Sequence, residues 1–493
     1  MKINKIYFLC SRLPQPERWI FWIAIAIFIK TLFFLYKLFE APLLNITYQG
    51  SFAIGGGDTF SYIEPIENLL SNGTYSDDYR MPGYGGIYFM LRLVFNQPWS
   101  LNILVILQLA LSSVSVYALG LIAKAIFKNN SSFYISFIIY LASAYVSLFD
   151  SFLLTESFCT SSLILSVLFF INYYQSNNIY FLLPSGFFIT WSIFLRPTIA
   201  PLLILFILFI FIKKILDKST AWKSLFYFLL PFILADGLWM ARNYMKYKKI
   251  YPLTRTIYYS SAYDDYYVKL ADFVSSFGGS IVHWNPGAEM CFFIPPPDYI
   301  KKKADAVLPE YIYTSKFNYD SLVMIKNYIH EINDTTAPEK RKKYLTPVVK
   351  RKLNDYRISI KEEKPFLYYV TSRLKLLKTF FVHSGTYNLF AKVSFELNKL
   401  EWGIKLVYSL LYIFVVSFGF MGSLLMLLKV QSKNEVLMVL VAMCGLYHAL
   451  VFPLVLKMDQ YRYFVPGYPF FVLASVFVLI SMRNFIKKTS IKK

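Results

Sequence analysis

The sequence predicts an all-α, polytopic membrane protein with about ten transmembrane helices and one soluble region of mostly helical or mixed structure. The first observation is composition: of 493 residues, 56% are hydrophobic and 16% are charged, and the mean hydropathy is +0.46. Soluble domains are about 45–50% apolar and about 25% charged. The second observation is a series of long apolar runs, and the third is a long stretch, residues 242–403, that has none.

The apolar runs have the length that a helix needs to cross the hydrocarbon core, about 20 residues. They lie at residues 19–38, 99–127, 133–149, 152–173, 180–195, 199–215, 225–240, 404–428, 436–456 and 463–480. The first run is too long for a secretory signal and no small-residue cleavage site follows it, so we interpret it as a retained helix. The predicted organisation is a transmembrane module over residues 1–241, an extracytoplasmic domain over residues 242–403 and C-terminal transmembrane helices over residues 404–493.

The distribution of lysine and arginine predicts the orientation of these helices, because basic residues accumulate in short cytoplasmic loops. They precede the first run and follow the second, sixth, eighth and tenth runs, at residues 2–18, 124–128, 213–223, 429–433 and 487–493. Alternation then places the loop at 40–98, the turn at 149–157 and the domain at 242–403 on the outer side. Long loops are largely exempt from the charge rule, so the basic character of the domain does not contradict this orientation.

Charge and cysteine usage argue against several classes of function. The net charge of +22 belongs largely to residues that flank membrane helices, so we expect membrane lipid rather than nucleic acid as a partner. The four cysteines form no Cys-x-x-Cys pair, which argues against a disulfide framework or a zinc site. The four histidines are equally scattered, so the sequence indicates no haem or His-rich metal centre.

The loop at residues 40–98 contains the segment that differs most from an ordinary membrane connector. Three consecutive glycines allow a tight backbone bend and close approach to a ligand, and Asp58 follows them. Apolar residues then recur at helical spacing, which predicts a short surface helix over residues 59–70. Asn72-Gly73 ends this helix in a turn, and a polar, aromatic strip at residues 75–84 follows.

Asp58 has two interpretations, which are compatible with each other. At the start of a helix, a carboxylate accepts hydrogen bonds from free backbone amides as an N-cap. In an active site, the same group takes a proton from a reacting hydroxyl. Arg80 offers a planar fork of donors that suits phosphate oxygens. The tyrosines of the loop, including Tyr62 and Tyr84, suit either a sugar face or the head-group region of the membrane.

The order of these residues resembles the first external loop of a known enzyme family. Asp58-x3-Tyr62, Gly73-x-Tyr75 and Arg80-x-Pro82-Gly83-Tyr84 are similar to this loop in the GT-C polytopic glycosyltransferases. The resemblance is to the bacterial branch similar to the protein mannosyltransferases and the aminoarabinose transferase of lipid A. The mannosyltransferases proper carry adjacent Asp and Glu in this loop, whereas here Asp58 is followed by Thr59.

Three further segments resemble later parts of the same family. The turn at residues 149–157, which contains Asp150 and Glu156, is similar to the second external loop. Arg196-Pro197 resembles an Arg-Pro turn, and Arg242-Asn243 resembles an Arg-Asn pair after the seventh helix.

This resemblance implies a membrane glycosyltransferase that moves a hexosyl or pentosyl group from a polyprenyl-phosphate donor to a glycolipid, polysaccharide or protein acceptor. It also implies a bacterial inner-membrane location, with the active site facing the periplasm or exterior. The expected catalytic residues are Asp58, as general base, and Glu156. The expected substrate-binding residues are Tyr62, Arg80, Tyr84, Asp150, Arg196, Arg242 and Arg462. We expect no cofactor; a divalent cation held between carboxylates and a phosphate is the alternative.

Structural roles compete with these assignments. Glu156 at a helix start also fits stabilisation by the helix dipole, and Arg196 and Arg242 also fit side chains that extend to the membrane surface. Arg462 also fits an ion pair with Asp459.

Two other classes of function also compete with the glycosyltransferase. A lipid-linked oligosaccharide flippase or transporter would line a path with charges near mid-membrane. An O-antigen polymerase or ligase also has many transmembrane helices and a large outer loop, but it moves oligosaccharide blocks rather than one sugar in each turnover.

Overall fold

The computed structural model describes residues 14–40, 49–75, 80–254, 265–281, 287–294, 308–382, 397–429 and 435–491. Within these ranges regular structure is helical, and β pairing consists of isolated bridges. The prediction of an all-α protein is therefore confirmed. Part of the strip at residues 75–84, namely residues 76–79, lies outside the described ranges.

The helices are numbered in chain order. They are α1 (Trp19–Glu40), α2 (Thr59–Asn72), α3 (Gly85–Arg92), α4 (Gln97–Phe127), α5 (Asn130–Leu141), α6 (Ala144–Ser147), α7 (Glu156–Ser176), α8 (Leu182–Leu195), α9 (Ala200–Leu216), α10 (Trp222–Tyr247), α11 (Asp265–Ser276), α12 (Ala288–Phe293), α13 (Tyr319–Asn333), α14 (Glu339–Glu363), α15 (Ser372–Phe381), α16 (Lys399–Leu428), α17 (Val436–Leu450) and α18 (Tyr468–Ile491).

The chain forms two compact units. The first consists of Met1–Arg255, Ser384–Tyr447 and Phe464–Lys493, and the second of Thr256–His383 and His448–Tyr463. Helix α10 runs through the boundary that the sequence predicted after residue 241 and ends at Tyr247.

Eight helices in the described part of the chain are long and apolar enough to cross a membrane: α1, α4, α7, α9 with the turn before it, α10, α16, α17 with the turn after it, and α18. The segments Asn130–Leu141 and Ala144–Ser151, bent by 54°, make a ninth if they form one span. The shorter apolar helix Ile179–Leu195 occupies the remaining predicted run. At 1.5 Å per residue it is shorter than the hydrocarbon core, about 30 Å thick. The chain is a multi-pass membrane protein.

The loops of the first unit gather at two ends of its helices. At one end Lys124 forms an ion pair with Glu17, Asn130 donates to Gln15, and Gln175 donates to the Ala125 carbonyl. These contacts bring together residues 15–17, residues 124–130 and the end of α7. The loops around Asp58, residues 149–157 and Arg196 meet at the other end, where the contacts described below join them.

Helix pairs in this unit approach closely at glycines. A Cβ added to Gly186 of α8 would lie 2.0 Å from the Phe228 carbonyl oxygen of α10. A Cβ added to Gly422 of α16 would lie 2.1 Å from the Ala474 carbonyl oxygen of α18. Such close backbone approach is a common way to pack helices in membranes, where lipid gives little hydrophobic drive between them.

The second unit has an apolar core of its own, in which Phe273, Phe317 and Tyr356 pack ring against ring. Helices α13 and α14 of this unit each contribute a buried apolar face to the core. The buried residues of α14 form one stripe: Leu345, Val349, Leu353, Tyr356, Ser359 and Ile360. The helix therefore lies with one face on the core and its charged face outward.

Candidate active site

Asp58 lies at the N-cap position of α2 but its carboxylate makes no capping hydrogen bond. Instead Asp58 Oδ1 lies 3.2 Å from Arg80 Nη2. The two side chains are 23% and 22% exposed. Asp58 is therefore an N-cap by its backbone position only, and not through its side chain. The carboxylate is aimed at Arg80 and is reachable from solvent.

Arg80 is held by a set of contacts from its own loop. Its Nη1 donates a 2.9 Å hydrogen bond to the Tyr62 hydroxyl, and its guanidinium lies 4.5 Å from the centre of the Tyr62 ring. The Tyr75 hydroxyl donates to the Arg80 carbonyl at 2.9 Å. These contacts fix the plane of the guanidinium beside Asp58, so the partly exposed ion pair has a defined geometry.

A second acid and arginine pair lies at the same end of the helices. Glu156 is the first residue of α7, and its carboxylate pairs with Arg196, which follows the last residue of α8. Arg196 Nε also donates to Thr155 Oγ1 at 3.0 Å. Glu156 is 1% exposed and Arg196 is 11% exposed. This pair is therefore largely shielded from water, unlike Asp58 and Arg80.

Tyr62 lies within electrostatic reach of both pairs. Burial raises the pKa of its phenol above the usual value. The charges of Arg80, Asp58, Glu156 and Arg196 also act on the phenol, and the two arginines oppose the two acids. The two pairs are thus brought together around one tyrosine, which remains a neutral hydroxyl at physiological pH. Tyr62, Asp58, Arg80, Glu156 and Arg196 form the candidate site.

Tyr84 packs beneath this site. Its ring centre is 5.3 Å from that of Tyr62, and its hydroxyl donates to Gln108 Oε1 at 2.7 Å. Burial raises the pKa of Tyr84 well above its usual value. Tyr84 is 1% exposed and its hydroxyl is already hydrogen-bonded, and its assignment to substrate binding remains a prediction.

Backbone contacts join the first loop to the turn at residues 149–157. Ile54 pairs with Phe152 as a parallel bridge. Its amide donates to the Ser151 carbonyl at 3.2 Å, and the Leu153 amide donates to the Ile54 carbonyl at 2.9 Å. Thr59 Oγ1, directly after Asp58, donates to the Leu153 carbonyl at 2.9 Å. The start of α2 is thereby fixed to the turn that leads to Glu156.

A second backbone contact joins the first loop to the end of α8. A Cβ added to Gly83 would lie 2.4 Å from the Phe194 carbonyl carbon, so only glycine fits this approach. The Gly83 carbonyl accepts a 3.0 Å hydrogen bond from Trp191 Nε1. Because Arg80 and Arg196 lie a few residues from this contact, it brings the two ion pairs close to each other.

Asp150, expected to bind substrate, lies in a separate buried ion pair. Its Oδ2 is 2.8 Å from Lys30 Nζ, and Ser157 Oγ donates to its Oδ1 at 2.5 Å. The side chains of Asp150 and Lys30 are 0% and 1% exposed. This pair was not predicted from the sequence, although a lysine in the middle of an apolar run is a signal for one, because a charge there needs a partner.

Arg242 reaches the site through Tyr75. Its Nη2 donates to the Tyr75 carbonyl at 2.6 Å, and Lys246 Nζ donates to the same carbonyl at 2.5 Å. The guanidinium also lies over the rings of Tyr75 and Trp239, at 5.1 and 4.8 Å from their centres. Arg242 thus holds the loop that carries Arg80. Lys246 was not anticipated from the sequence.

Arg462 belongs to the second compact unit, where its guanidinium lies over the Tyr463 ring at 5.6 Å. In the same unit Asp459, its expected partner, accepts a 2.9 Å hydrogen bond from Ser280 Oγ. The assignment of Arg462 to substrate binding remains a prediction.

The charges of the site come from carboxylates and guanidinium groups. Among the described residues, no group of three or more His, Cys, Asp and Glu side chains could hold a metal ion. The arrangement offers one reachable carboxylate and an adjacent fixed guanidinium, with a second, shielded pair behind them. Such a set can take a proton from a hydroxyl and hold an anion such as a phosphate.

No protein-family model matches this sequence, and no curated protein matches it either. Among solved structures the chain is similar to the oligosaccharyltransferase AglB from the archaeon Archaeoglobus fulgidus, in complex with an inhibitory peptide and a dolichol-phosphate. The TM-score is 0.42 and the identity is 12%, over 96% of this chain and 51% of that chain. This chain thus spans about half the length of AglB. A similarity at this level carries no information about substrate or activity.

Proposed function

We propose that this protein is an integral-membrane glycosyltransferase, which transfers a hexosyl or pentosyl group from a polyprenyl-phosphate donor to an acceptor outside the cytoplasm. The observation that carries this proposal is the partly exposed pair of Asp58 and Arg80, fixed beside the buried pair of Glu156 and Arg196. The order of the motifs along the chain, from Asp58 to Arg242, also supports it.

The proposed reaction needs help mainly for the nucleophile, because a lipid phosphate is already a good leaving group. An acceptor hydroxyl attacks the anomeric carbon of the sugar, and Asp58 takes the hydroxyl proton as the new C–O bond forms. The bond between the anomeric carbon and the phosphate oxygen breaks, and its electron pair stays on the phosphate. The products are the glycoside and the polyprenyl phosphate, and Asp58 returns its proton to water.

Arg80 is proposed to hold the donor phosphate while it contacts Asp58. Its guanidinium offers a planar set of N–H donors, of which Nη2 contacts Asp58 and Nη1 donates to the Tyr62 hydroxyl. A fixed guanidinium stabilises the negative charge that grows on the leaving phosphate oxygen. Direct attack by the acceptor in one displacement inverts the configuration at the anomeric carbon.

The buried pair has a different role in this scheme. Glu156 was expected to be catalytic, but at 1% exposure and paired with Arg196 it does not meet an acceptor hydroxyl readily. We therefore assign Glu156 and Arg196 to positioning the site. Arginine supplies the positive charge in this scheme, so we expect transfer without a divalent cation, and retention of activity in EDTA checks this.

The proposal is tested with the full-length chain in lipid nanodiscs. A panel of radiolabelled polyprenyl-phosphate monosaccharides is incubated with glycolipid, polysaccharide and protein fractions of the cell envelope, and label transfer is measured. Asp58→Asn should lower transfer by about 10²–10⁴-fold, the usual loss when a general base is removed. The matched control is Glu64→Gln, which removes an exposed acid from the same helix.

Two outcomes contradict the proposal. Near-normal turnover by a folded Asp58→Asn protein removes Asp58 as the base. Transfer of oligosaccharide blocks rather than single sugars identifies a polymerase or ligase instead. Mass spectrometry of surface glycolipids, polysaccharides and glycoproteins, with and without this gene, should show one missing sugar and so name the acceptor.

A further inference from the structure

A buried polar stripe lies along one face of α1. Lys30 is near the middle of this helix, and Lys37 follows seven residues later on the same face. Both lysines are about 1% exposed, although lysines near membranes normally extend to the surface. Lys30 contacts Asp150 at 2.8 Å and Ser147 Oγ at 3.2 Å.

The second lysine contacts the same turn. Lys37 Nζ lies 5.8 Å from the centre of the Phe152 ring and pairs with Glu40 at 2.5 Å. Helix α1 thus contacts residues 147–152 at two points, through Lys30 and Lys37. Gln108 also holds this turn, because its Nε2 donates to the carbonyls of Asp150 and Phe152 at 3.2 and 2.8 Å.

Stability alone does not account for a buried ion pair here. Moving two charges out of water costs several kcal/mol for each ion, and a well-packed apolar pair in its place is often neutral or more stable. Buried ion pairs are kept in some proteins because they fix one arrangement among several. The presence of the buried pair of Lys30 and Asp150 therefore needs an explanation other than stability.

The turn that Lys30 holds connects directly to the candidate site. Its residue Phe152 pairs with Ile54, and Leu153 accepts from Thr59, which follows Asp58. At its other end Ser157, next to Glu156, donates to the Asp150 carboxylate at 2.5 Å. Displacing Asp150 would thus disturb both acids of the site, although Lys30 contacts neither of them in the described bonds.

We propose that Lys30 and Asp150 are positioning residues, which set the register between the Asp58 loop and the Glu156 turn from within the membrane-spanning part of the protein. This inference rests on the proposed function only in taking Asp58 as the reacting group. The observation that carries this inference is the ion pair of Lys30 and Asp150, together with the hydrogen bonds from Lys30 to Ser147 and from Ser157 to Asp150.

The test separates positioning from charge balance. Lys30→Met leaves Asp150 buried without its partner, Lys30→Arg keeps the charge, and Lys30→Met/Asp150→Leu replaces the pair by apolar side chains.

Each of these three variants is made in a chain with Cys10→Ser and with spin labels attached at Gly57→Cys and Thr198→Cys. A Cβ at Gly57 meets nothing within 4 Å, and Thr198 lies two residues after Arg196. EPR then measures the distance distribution between the labels, and thermal unfolding measures stability.

We expect the distance distribution to broaden in Lys30→Met and in the double variant, and to stay narrow in Lys30→Arg. Turnover, measured in the same variants without Gly57→Cys, Thr198→Cys and the labels, should fall at least tenfold in the first two, mainly in kcat with KM little changed. The double variant should nevertheless regain the unfolding temperature of the parent. Recovery of both turnover and a narrow distribution in the double variant would overturn the proposal, since charge balance alone would then suffice. An unchanged distribution in Lys30→Met would also overturn it.

The EPR result does not depend on activity. If no donor is used by any variant or by the parent, the proposed function fails while the distance distributions still decide whether Lys30 and Asp150 set the register.

Discussion

Two acid and arginine pairs of the same chemistry lie in very different surroundings. Asp58 and Arg80 are each more than one-fifth exposed, on a loop that holds them by side-chain contacts. Glu156 and Arg196 are nearly buried, and each lies at the end of a membrane helix. We therefore expect two uses of one interaction: the exposed pair to meet a substrate, and the buried pair to hold the helices that carry it.

Breaking the buried pair should have the largest effect on stability. Glu156→Gln leaves the Arg196 guanidinium without its charged partner, and losing one member of a buried pair costs about 3–5 kcal/mol. We expect a marked fall in unfolding temperature in detergent. Glu156→Gln/Arg196→Gln should recover much of it, and Glu64→Gln should change nothing. If Glu156→Gln unfolds at the temperature of the parent, the pair does not hold the helices.

Breaking the exposed pair should instead affect the donor. Arg80→Ala removes the proposed phosphate contact, and a charged hydrogen bond contributes about 1.5–3 kcal/mol. The KM for the polyprenyl-phosphate donor should therefore rise by about tenfold or more, while that for the acceptor changes little. Steady-state kinetics with each substrate varied in turn measures this. An equal change in both KM values would remove Arg80 from the donor site.

Separating the two pairs tests whether they work together. Gly83→Ala places a methyl group 2.4 Å from the Phe194 carbonyl carbon and must push the Arg80 loop away from the end of α8. Overpacking of this kind costs about 1–3 kcal/mol. We expect lower turnover as well as lower unfolding temperature. Gly86→Ala is the matched control, because a Cβ there meets nothing within 4 Å, and an equal loss in both variants would refute this account.

A third pair, Glu67 and Arg92, extends the comparison, and we expect the smallest effect from breaking it. Glu67 accepts from Arg92 Nε at 2.8 Å and from the Tyr88 hydroxyl at 2.5 Å, which joins α2 to α3. The hydrogen bond from Arg92 is the main factor that lowers the pKa of Glu67. The stabilisation that this pair provides is therefore present above the pKa of Glu67 in the unfolded state, about 4.3. It is lost as the pH falls through the lower pKa of Glu67 in the folded state.

The Glu67 contribution is measured by the pH dependence of unfolding. Because this pair is partly exposed, we expect it to contribute about 1 kcal/mol or less. Glu67→Gln should remove this part of the acid-dependent loss of unfolding temperature and leave turnover near that of the parent. Thermal unfolding between about pH 3 and 7 checks this. A large loss of turnover at neutral pH would show that Glu67 serves the reaction and not only the joint between the helices.

The sequence was sufficient to locate the helices and the loop of the site. The ten predicted runs correspond to observed apolar helices, and Gly73, with φ of 67°, ends α2 as expected. Helix α3 was missed because its apolar run, residues 87–91, is too short for a membrane span.

The partners of the charged residues could not be predicted. Glu156 and Arg196 are 40 residues apart, and Lys30 and Asp150 are 120 apart, so both pairs depend on how the helices pack. Asp58 shows the same limit: local rules predicted an N-cap, and a tertiary contact with Arg80 took its carboxylate instead.

The lysines of α1 also bear on how the protein enters the membrane. On insertion scales a lysine at the centre of a helix costs about 2.5–3.5 kcal/mol. Lys30 lies near the centre of α1, and its charge is balanced by Asp150, which is synthesised 120 residues later. We therefore expect the first helix to reach its stable state only after the turn at residue 150 has been made, which would link the earliest step of membrane insertion to the assembly of the site.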